Sequence, residues 1–392
     1  MTMAEAAPPP SQTGYGGRDK KRIRSIDILR GIVMVIMALD HTRDFYSNYP
    51  FDPTQLEHHP SAILFFTRWI THFCAPVFVF LSGTSVWLSG KGKAKTDISK
   101  KLLTRGLWLL VLEVTVIHTG WAFDFNFGMF FLQVIWALGW SMIFLSAVVF
   151  LPRQLVLAIG LLLVAGHNAF DGFQPPAQWA VLWDFLHVQG PVAYGHGGTI
   201  MIIYPLIPWI GVMAVGYCFG AVFDQEEQQR NRSLYIIGLG CIGLFVVLRG
   251  INVYGDPSPW VVQDAGWRTV LSFINVSKYP PSLLYLLMTL GVAITLLPML
   301  ERTGKRVGGI FTVYGRVPMF YYILHLYLIH SVVLVADYFF KGTTAVTVFA
   351  HPGYSLPVVY LFWLAAVVIL YFPSKWFMGV KGRYGYWWLS YL

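Results

Sequence analysis

Charge is what this sequence lacks most. Only 12% of its 392 residues are Asp, Glu, Lys or Arg, against about 25% in ordinary soluble domains. A disordered chain would have few large apolar residues, yet 56% here are hydrophobic and 17% aromatic. The chain is therefore neither disordered nor built like a water-soluble enzyme. Cysteine is also scarce. Cys74, Cys218 and Cys241 all fall within apolar runs, at no spacing that suggests a disulfide framework or a metal site. The first 24 residues carry no apolar stretch of the kind a secretory signal needs. The sequence also contains no P-loop, dinucleotide fingerprint, HExxH or GxSxG motif.

Long apolar runs are abundant. Ten can be read, at 26–45, 61–88, 103–122, 129–151, 153–167, 199–222, 233–251, 281–300, 310–335 and 354–373. All but the fifth reach the length needed to cross about 30 Å of hydrocarbon at about 1.5 Å per residue. The runs are continuous rather than alternating, which favours helices over a barrel. The expectation is an all-α, polytopic integral membrane protein of about ten transmembrane helices. Residues 1–24 read as a disordered basic tail and 25–392 as a single transmembrane domain.

The net charge of +9 would suggest nucleic acid in a soluble protein. Here most of the 28 lysines and arginines fall on one side of the apolar runs: in the N-terminal tail, around 91–105, at 230–232, at 302–306 and at 375–383. By the positive-inside rule both termini are expected in the cytoplasm. The basic charge is then topological, and no nucleic-acid partner is expected. The long segments 168–198 and 252–280 would lie outside. The first lacks Lys and Arg and is rich in Trp, His and Gly, which suits either a sugar-binding surface or an interfacial aromatic belt.

Ionisable residues within lipid are costly and point to function. The first run, SIDILRGIVMVIMALDHTRDFY, holds the most informative ones. Arg30 and His41 are 11 residues apart, about three turns plus roughly 20°. They share one helix face, about 16 Å apart along the axis. The arginine suits phosphate, and a histidine beside Asp40 suits general-base chemistry near neutral pH. Asp40 and His41 point about 100° apart on a regular helix, so Asp40 has the alternative of pairing with Arg43. The plainer alternative for the whole run is a snorkelling Arg30 and a wet helix end at 40–44. Arg68 and His72 share a face at i, i+4, ahead of Pro76. Lys278 opens the eighth run, Arg316 starts the ninth, and His325 lies near its centre beside Tyr321 and Tyr322. These five are candidate chamber-lining residues. Glu113, within LLVLEVTVIHTGW, needs a buried partner.

The stretch RSIDILRGIVMVIMALDH, with its Arg-x10-His spacing, resembles the first helix of the transmembrane acyltransferase superfamily. THFCAPVFVFLSGTS, YPLIPWIGVMAVGYCFG, NVSKYPPSLLYLLMTLG and GRVPMFYYILHLYLIH resemble bacterial membrane proteins grouped with heparan-alpha-glucosaminide N-acetyltransferase. The resemblance spans about residues 22–390. It implies transfer of an acetyl or related acyl group from cytoplasmic acetyl-CoA or another acyl-CoA to an extracytoplasmic acceptor, a sugar hydroxyl or amine. It also implies His41 with Asp40 as the catalytic pair, Arg30 on the CoA path and a bacterial inner membrane as the location. The sequence departs from the lysosomal enzyme in lacking a large lumenal N-terminal domain and in its local Asp40-His41 pattern. The heparan amine is therefore not carried over as acceptor. No metal is expected. The expected partners are the bilayer and an extracytoplasmic glycan or small molecule, with homo-oligomerisation left open. A transporter or flippase for a sugar or lipid-linked substrate is the alternative reading of the same polar line.

Overall fold

A computed structural model of the protein describes residues 23–123, 128–342, 353–384 and 389. Nearly all of the basic tail read over 1–24 lies outside the described residues, as does most of the aromatic C-terminus.

The first helix, α1 (Arg24–Tyr46), has Asp27 in its first turn and Arg43 in its last, both complementary to the helix dipole. Next come α2 (Ala62–Trp69), capped by Ser61 Oγ accepting from the Leu64 amide, a 3-10 turn over Ile70–Phe73, and α3 (Cys74–Gly90). α4 (Lys95–Leu112) passes through a π-helical turn at Glu113–Ile117 into α5 (His118–Ala122). Strand β1 (Met129–Leu132) precedes α6 (Val134–Val148) and α7 (Arg153–Gly166). α8 (Ala180–His187), β2 (Gly190–Tyr194) and β3 (Gly198–Ile202) lead to α9 (Leu206–Phe219) and α10 (Glu227–Ile251). The remainder is α11 (Gly266–Ile274), α12 (Leu283–Glu301), α13 (Lys305–Arg316), α14 (Pro318–Lys341) and α15 (Leu356–Arg383).

Eight described helical segments are long and apolar enough to cross a membrane, judged by length and composition. They include α10, α12 and α15. The charged α1 and the 15-residue α6 complete the ten runs seen in the sequence. Only 17% of the apolar window of α15 is buried in the protein. Leu361, Val368 and Phe372 on that helix are exposed and need lipid to cover them. The chain is a multi-pass membrane protein.

The structure refines two of the runs and splits a third. The runs at 129–151 and 199–222 each begin as a strand rather than as helix. β3 pairs in parallel with β1 and antiparallel with β2, in the order β1-β3-β2. Leu132, Val192 and Ile202 bury one patch of this small sheet. Its backbone groups bond to each other, as irregular chain near a bilayer requires. The run at 310–335 is two helices. Pro318 has no N–H and disfavours helical geometry at the residue before it. Val317 sits at φ −129°, ψ 49°, and Pro318 restarts the chain as the first residue of α14.

α1 runs through the centre, packed by α3, α12, α13, α14 and α15. Glycines allow backbones to touch at several crossings. A Cβ on Gly31 of α1 would lie 1.8 Å from the Phe311 carbonyl oxygen of α13. One on Gly216 of α9 would lie 2.2 Å from that of Phe80 on α3. One on Gly83 of α3 would lie 2.2 Å from the Met213 carbonyl oxygen of α9. Such small-residue contacts are how helices associate tightly in lipid.

Candidate active site

Two cavities flank α1, one at each end of its Arg30–His41 face. The larger, about 600 Å³, opens near the C-terminal end of α1. Its walls include Asp40, His41, Arg68, Trp121, Lys278 and Tyr322. The smaller, about 370 Å³, holds Arg30, Lys101, Arg105, Arg316 and Lys381, with Ser82, Ser85 and Ser89 along α3. Its described lining contains no carboxylate. Phe78 and Met319 line both cavities. They form an apolar partition between a cationic chamber and a histidine chamber.

His41 is buried, and its Nδ1 lies 2.7 Å from Nε2 of His325 on α14. The other nitrogen of His325, Nδ1, lies 3.0 Å from the Tyr321 carbonyl oxygen. A carbonyl only accepts, so His325 Nδ1 carries the proton. With both rings neutral, His325 Nε2 is then bare and accepts from His41 Nδ1–H. This network assigns the free lone pair of His41 to Nε2. Trp121 and Tyr322 pack edge-on to the His41 ring, at 4.9 and 5.9 Å between centroids. Their indole N–H and phenol, buried beside each other, make no hydrogen bond to the rest of the described protein.

Asp40 serves other partners. Arg68 Nη1 donates to both of its carboxylate oxygens, at 2.6 and 2.8 Å. Arg43 Nη2 lies 3.2 Å from Oδ1 and Lys278 Nζ 3.5 Å from Oδ2. Arg43 also bonds Asp44 at 2.5 Å, and Arg68 Nε bonds Asp52 at 3.1 Å. Three carboxylates and three cations are thus interleaved at one end of the bundle, and this compensation lets Asp40, Arg43, Arg68 and Lys278 be buried. Burial alone would raise the Asp52 carboxyl, in the loop after α1. Arg68, with Arg43 and hydrogen bonds from Thr54, instead holds it well below the usual carboxylate range.

On the other side of the partition, Arg30 Nη2 donates to Ser85 Oγ at 2.8 Å, and its Nη1 lies 3.4 Å from the Gly315 carbonyl oxygen. Asp27 lies 3.8 Å from Arg30 and 3.5 Å from Arg316. The guanidinium is therefore aimed by α3 and α13 across the cavity it lines.

The sequence candidates are distributed as follows. Asp40, His41, Arg68 and Lys278 meet in the larger chamber. Arg316 belongs with Arg30 in the smaller one. His325 stands behind His41 rather than in the wall. His72 is also off the wall. It is buried edge-on to Tyr285, whose hydroxyl donates to the His72 carbonyl at 2.6 Å. Glu113 is buried at the π turn and accepts the Gln133 amide of the chamber wall. Sequence reasoning missed Trp121, Lys101, Arg105 and Lys381 as wall residues. Basic residues at helix ends read as topology, and one tryptophan among fifteen carries no signal of its own.

These features define a class: a membrane-embedded protein with two cavities along one central helix, a buried imidazole pair at one and a cluster of cations at the other. Residues 22–251, α1 through α10, match the family model described as heparan-alpha-glucosaminide N-acetyltransferase, catalytic. The chain belongs to this family of membrane acetyltransferases and is a transferase. Lys278, Arg316 and His325 lie beyond the matched span yet fold back onto its site. No curated protein matches the chain.

Proposed function

We propose that the protein transfers an acetyl or related acyl group from cytoplasmic acyl-CoA to a hydroxyl or amine on an extracytoplasmic acceptor such as a sugar. The observation that carries this reading is the pair of chambers meeting at Phe78 and Met319. An anionic donor suits the pocket with five cations and no carboxylate in its described lining. Its thioester end would thread past the partition toward His41. The Lys and Arg asymmetry of the loops supports a cytoplasmic position for the cationic chamber.

In this reading His41 Nε2 removes the acceptor's proton as the acceptor oxygen or nitrogen attacks the thioester carbonyl. His325 takes up the orientation of the imidazolium through His41 Nδ1–H. The Trp121 N–H and the Tyr322 hydroxyl are the donors available to the oxyanion. The C–S bond then breaks and CoA leaves as the thiolate or thiol. The Asp40–Arg68–Lys278 cluster shapes the acceptor end.

The test separates binding from transfer. Purified protein in liposomes is given labelled acetyl-CoA, with glucosamine or glucose as acceptor. His41→Ala should bind acetyl-CoA normally and transfer nothing. Arg30→Ala should weaken acetyl-CoA binding about 10- to 100-fold, the worth of a hydrogen-bonded charge. Transfer by His41→Ala, or unchanged binding by Arg30→Ala, would reject the respective role.

A further inference from the structure

The same end of the bundle as His41 holds a second cluster, outside the chamber wall. His167 follows the end of α7, Asp171 lies in the turn beyond it, and His187 ends α8. Each offers one ligand atom, and the three atoms lie within 4.8 Å of one another. His167 Nδ1 is 3.4 Å from His187 Nε2, and His187 Nε2 is 3.7 Å from Asp171 Oδ1. A tetrahedral ion with ligands at about 2.0–2.1 Å needs its ligand atoms about 3.3–3.4 Å apart. Two of the three pairs are near that spacing, and the third is within 4.8 Å.

Its surroundings are those of ligands already held in place. Asn168 Nδ2 donates to the other carboxylate oxygen of Asp171 at 2.9 Å, and its Oδ1 accepts the Leu283 amide at 2.9 Å. Trp183 stacks on the His187 ring, with 4.8 Å between centroids and 12° between planes. Both histidines are buried, at 3% exposure. The Nε2 of His167 is buried with no hydrogen bond that satisfies it. Binding a cation at Nδ1 would place the ring proton there. Asp171 retains 22% side-chain exposure, which leaves an entry path.

The geometry points to a binding site for one divalent transition ion of the zinc class, held by His167, Asp171 and His187. His187 Nε2 lies 2.9 Å from the His167 carbonyl oxygen, so the ion would replace the ring proton donated there and meet that carbonyl at its fourth position. Two imidazoles and one carboxylate select against Mg2+ and Ca2+, which take oxygen ligands. None of the three residues lines the chamber, so the ion would tie structure rather than perform chemistry. It would staple α7 to α8 and close the segment 167–187. Through Asn168 it would brace the start of α12, next to Lys278. Gln189, two residues beyond His187, lies in the chamber wall, so the staple would also fix that rim. Spacings of four and sixteen residues match no short metal motif, which is why the sequence alone suggests no metal.

The test uses the full chain, tag-free, in detergent and stripped with a chelator. Titration with Zn2+ alone should show one tight equivalent and a raised Tm. Co2+ alone should give the visible absorption of a four-coordinate ion. Excess Mg2+ should change neither. Asp171→Asn, at the exposed corner, should fold normally and lose Zn2+ affinity. Asn168→Ala should cost roughly 10- to 100-fold, the usual worth of an outer-shell partner. His187→Ala should abolish the equivalent. Absence of any stoichiometric Zn2+ or Co2+ signal in the unmutated protein would overturn the site without reference to a variant. Full binding by both Asp171→Asn and His187→Ala would overturn this ligand set.

Discussion

His325→Ala isolates the imidazole pair. The substitution removes the acceptor of His41 Nδ1–H, a bond of 2.7 Å in a buried setting. In the proposed mechanism His41 gains a proton, and that bond then becomes charge-assisted, worth about 1.5–3 kcal/mol. At about 1.4 kcal/mol per factor of ten, the loss is about 10- to 150-fold in kcat. The tautomer is freed as well, since nothing then holds the proton on Nδ1. The KM for acetyl-CoA should not move, because His325 is absent from the lining of the cationic pocket. The assay is the initial rate of labelled acetyl transfer in liposomes at saturating acetyl-CoA, after gel filtration and thermal melting confirm folding. His325→Gln is the control. Its amide oxygen accepts from His41 and its amide N–H donates toward Tyr321, so it should recover most of the lost rate. A folded Ala variant with unmutated kcat would refute the reasoning, as would a Gln variant no better than Ala.

Arg68→Ala leaves Asp40 and Asp52 without their main buried partner and should destabilise by about 3–5 kcal/mol, read as a large fall in Tm in detergent. Asp52 carries a pH signature. Its folded pKa is depressed, so its stabilising contribution is fully present above the unfolded value, about 3.9, and is lost as pH falls toward the folded one. Melting curves of the unmutated protein and of Asp52→Asn should therefore differ at pH 7 and converge under acid. Met319→Trp should block the partition, abolishing transfer while acetyl-CoA binding to the cationic chamber persists. Rapid turnover by this variant would show that the route runs elsewhere.

The bundle itself was legible in the sequence because lipid permits few alternatives: each of the ten apolar runs holds a helix, and 310–335 holds two. So was the shared face of Arg30 and His41, which depends only on local helix geometry. The partners were not. Asp40 meets Lys278 across 238 residues, and His41 meets His325 across 284. No local period encodes pairs so distant. Asp40 and His41, neighbours in sequence, turned to different partners because adjacent helical side chains diverge by about 100°. The small sheet escaped because its strands are four or five residues long and merge into apolar runs. The break at Val317 was marked by Pro318, but the proline sat inside a run apolar enough to read as one helix.

The glycine crossings bear on how anything passes between the chambers. α1 touches α13, and α3 touches α9, with no side chain between their backbones. A machine that alternates its opening must slide or tilt whole helices, on microsecond to millisecond timescales. Here such tilting would have to part surfaces already in van der Waals contact. The partition itself is two side chains unbranched at Cβ, part-buried Phe78 and buried Met319, so a change of their rotamers could open it with no helix displaced. Access by the proposed route would then be a rearrangement of side chains inside a rigid frame, and the frame can keep His41 aimed while the passage opens and shuts.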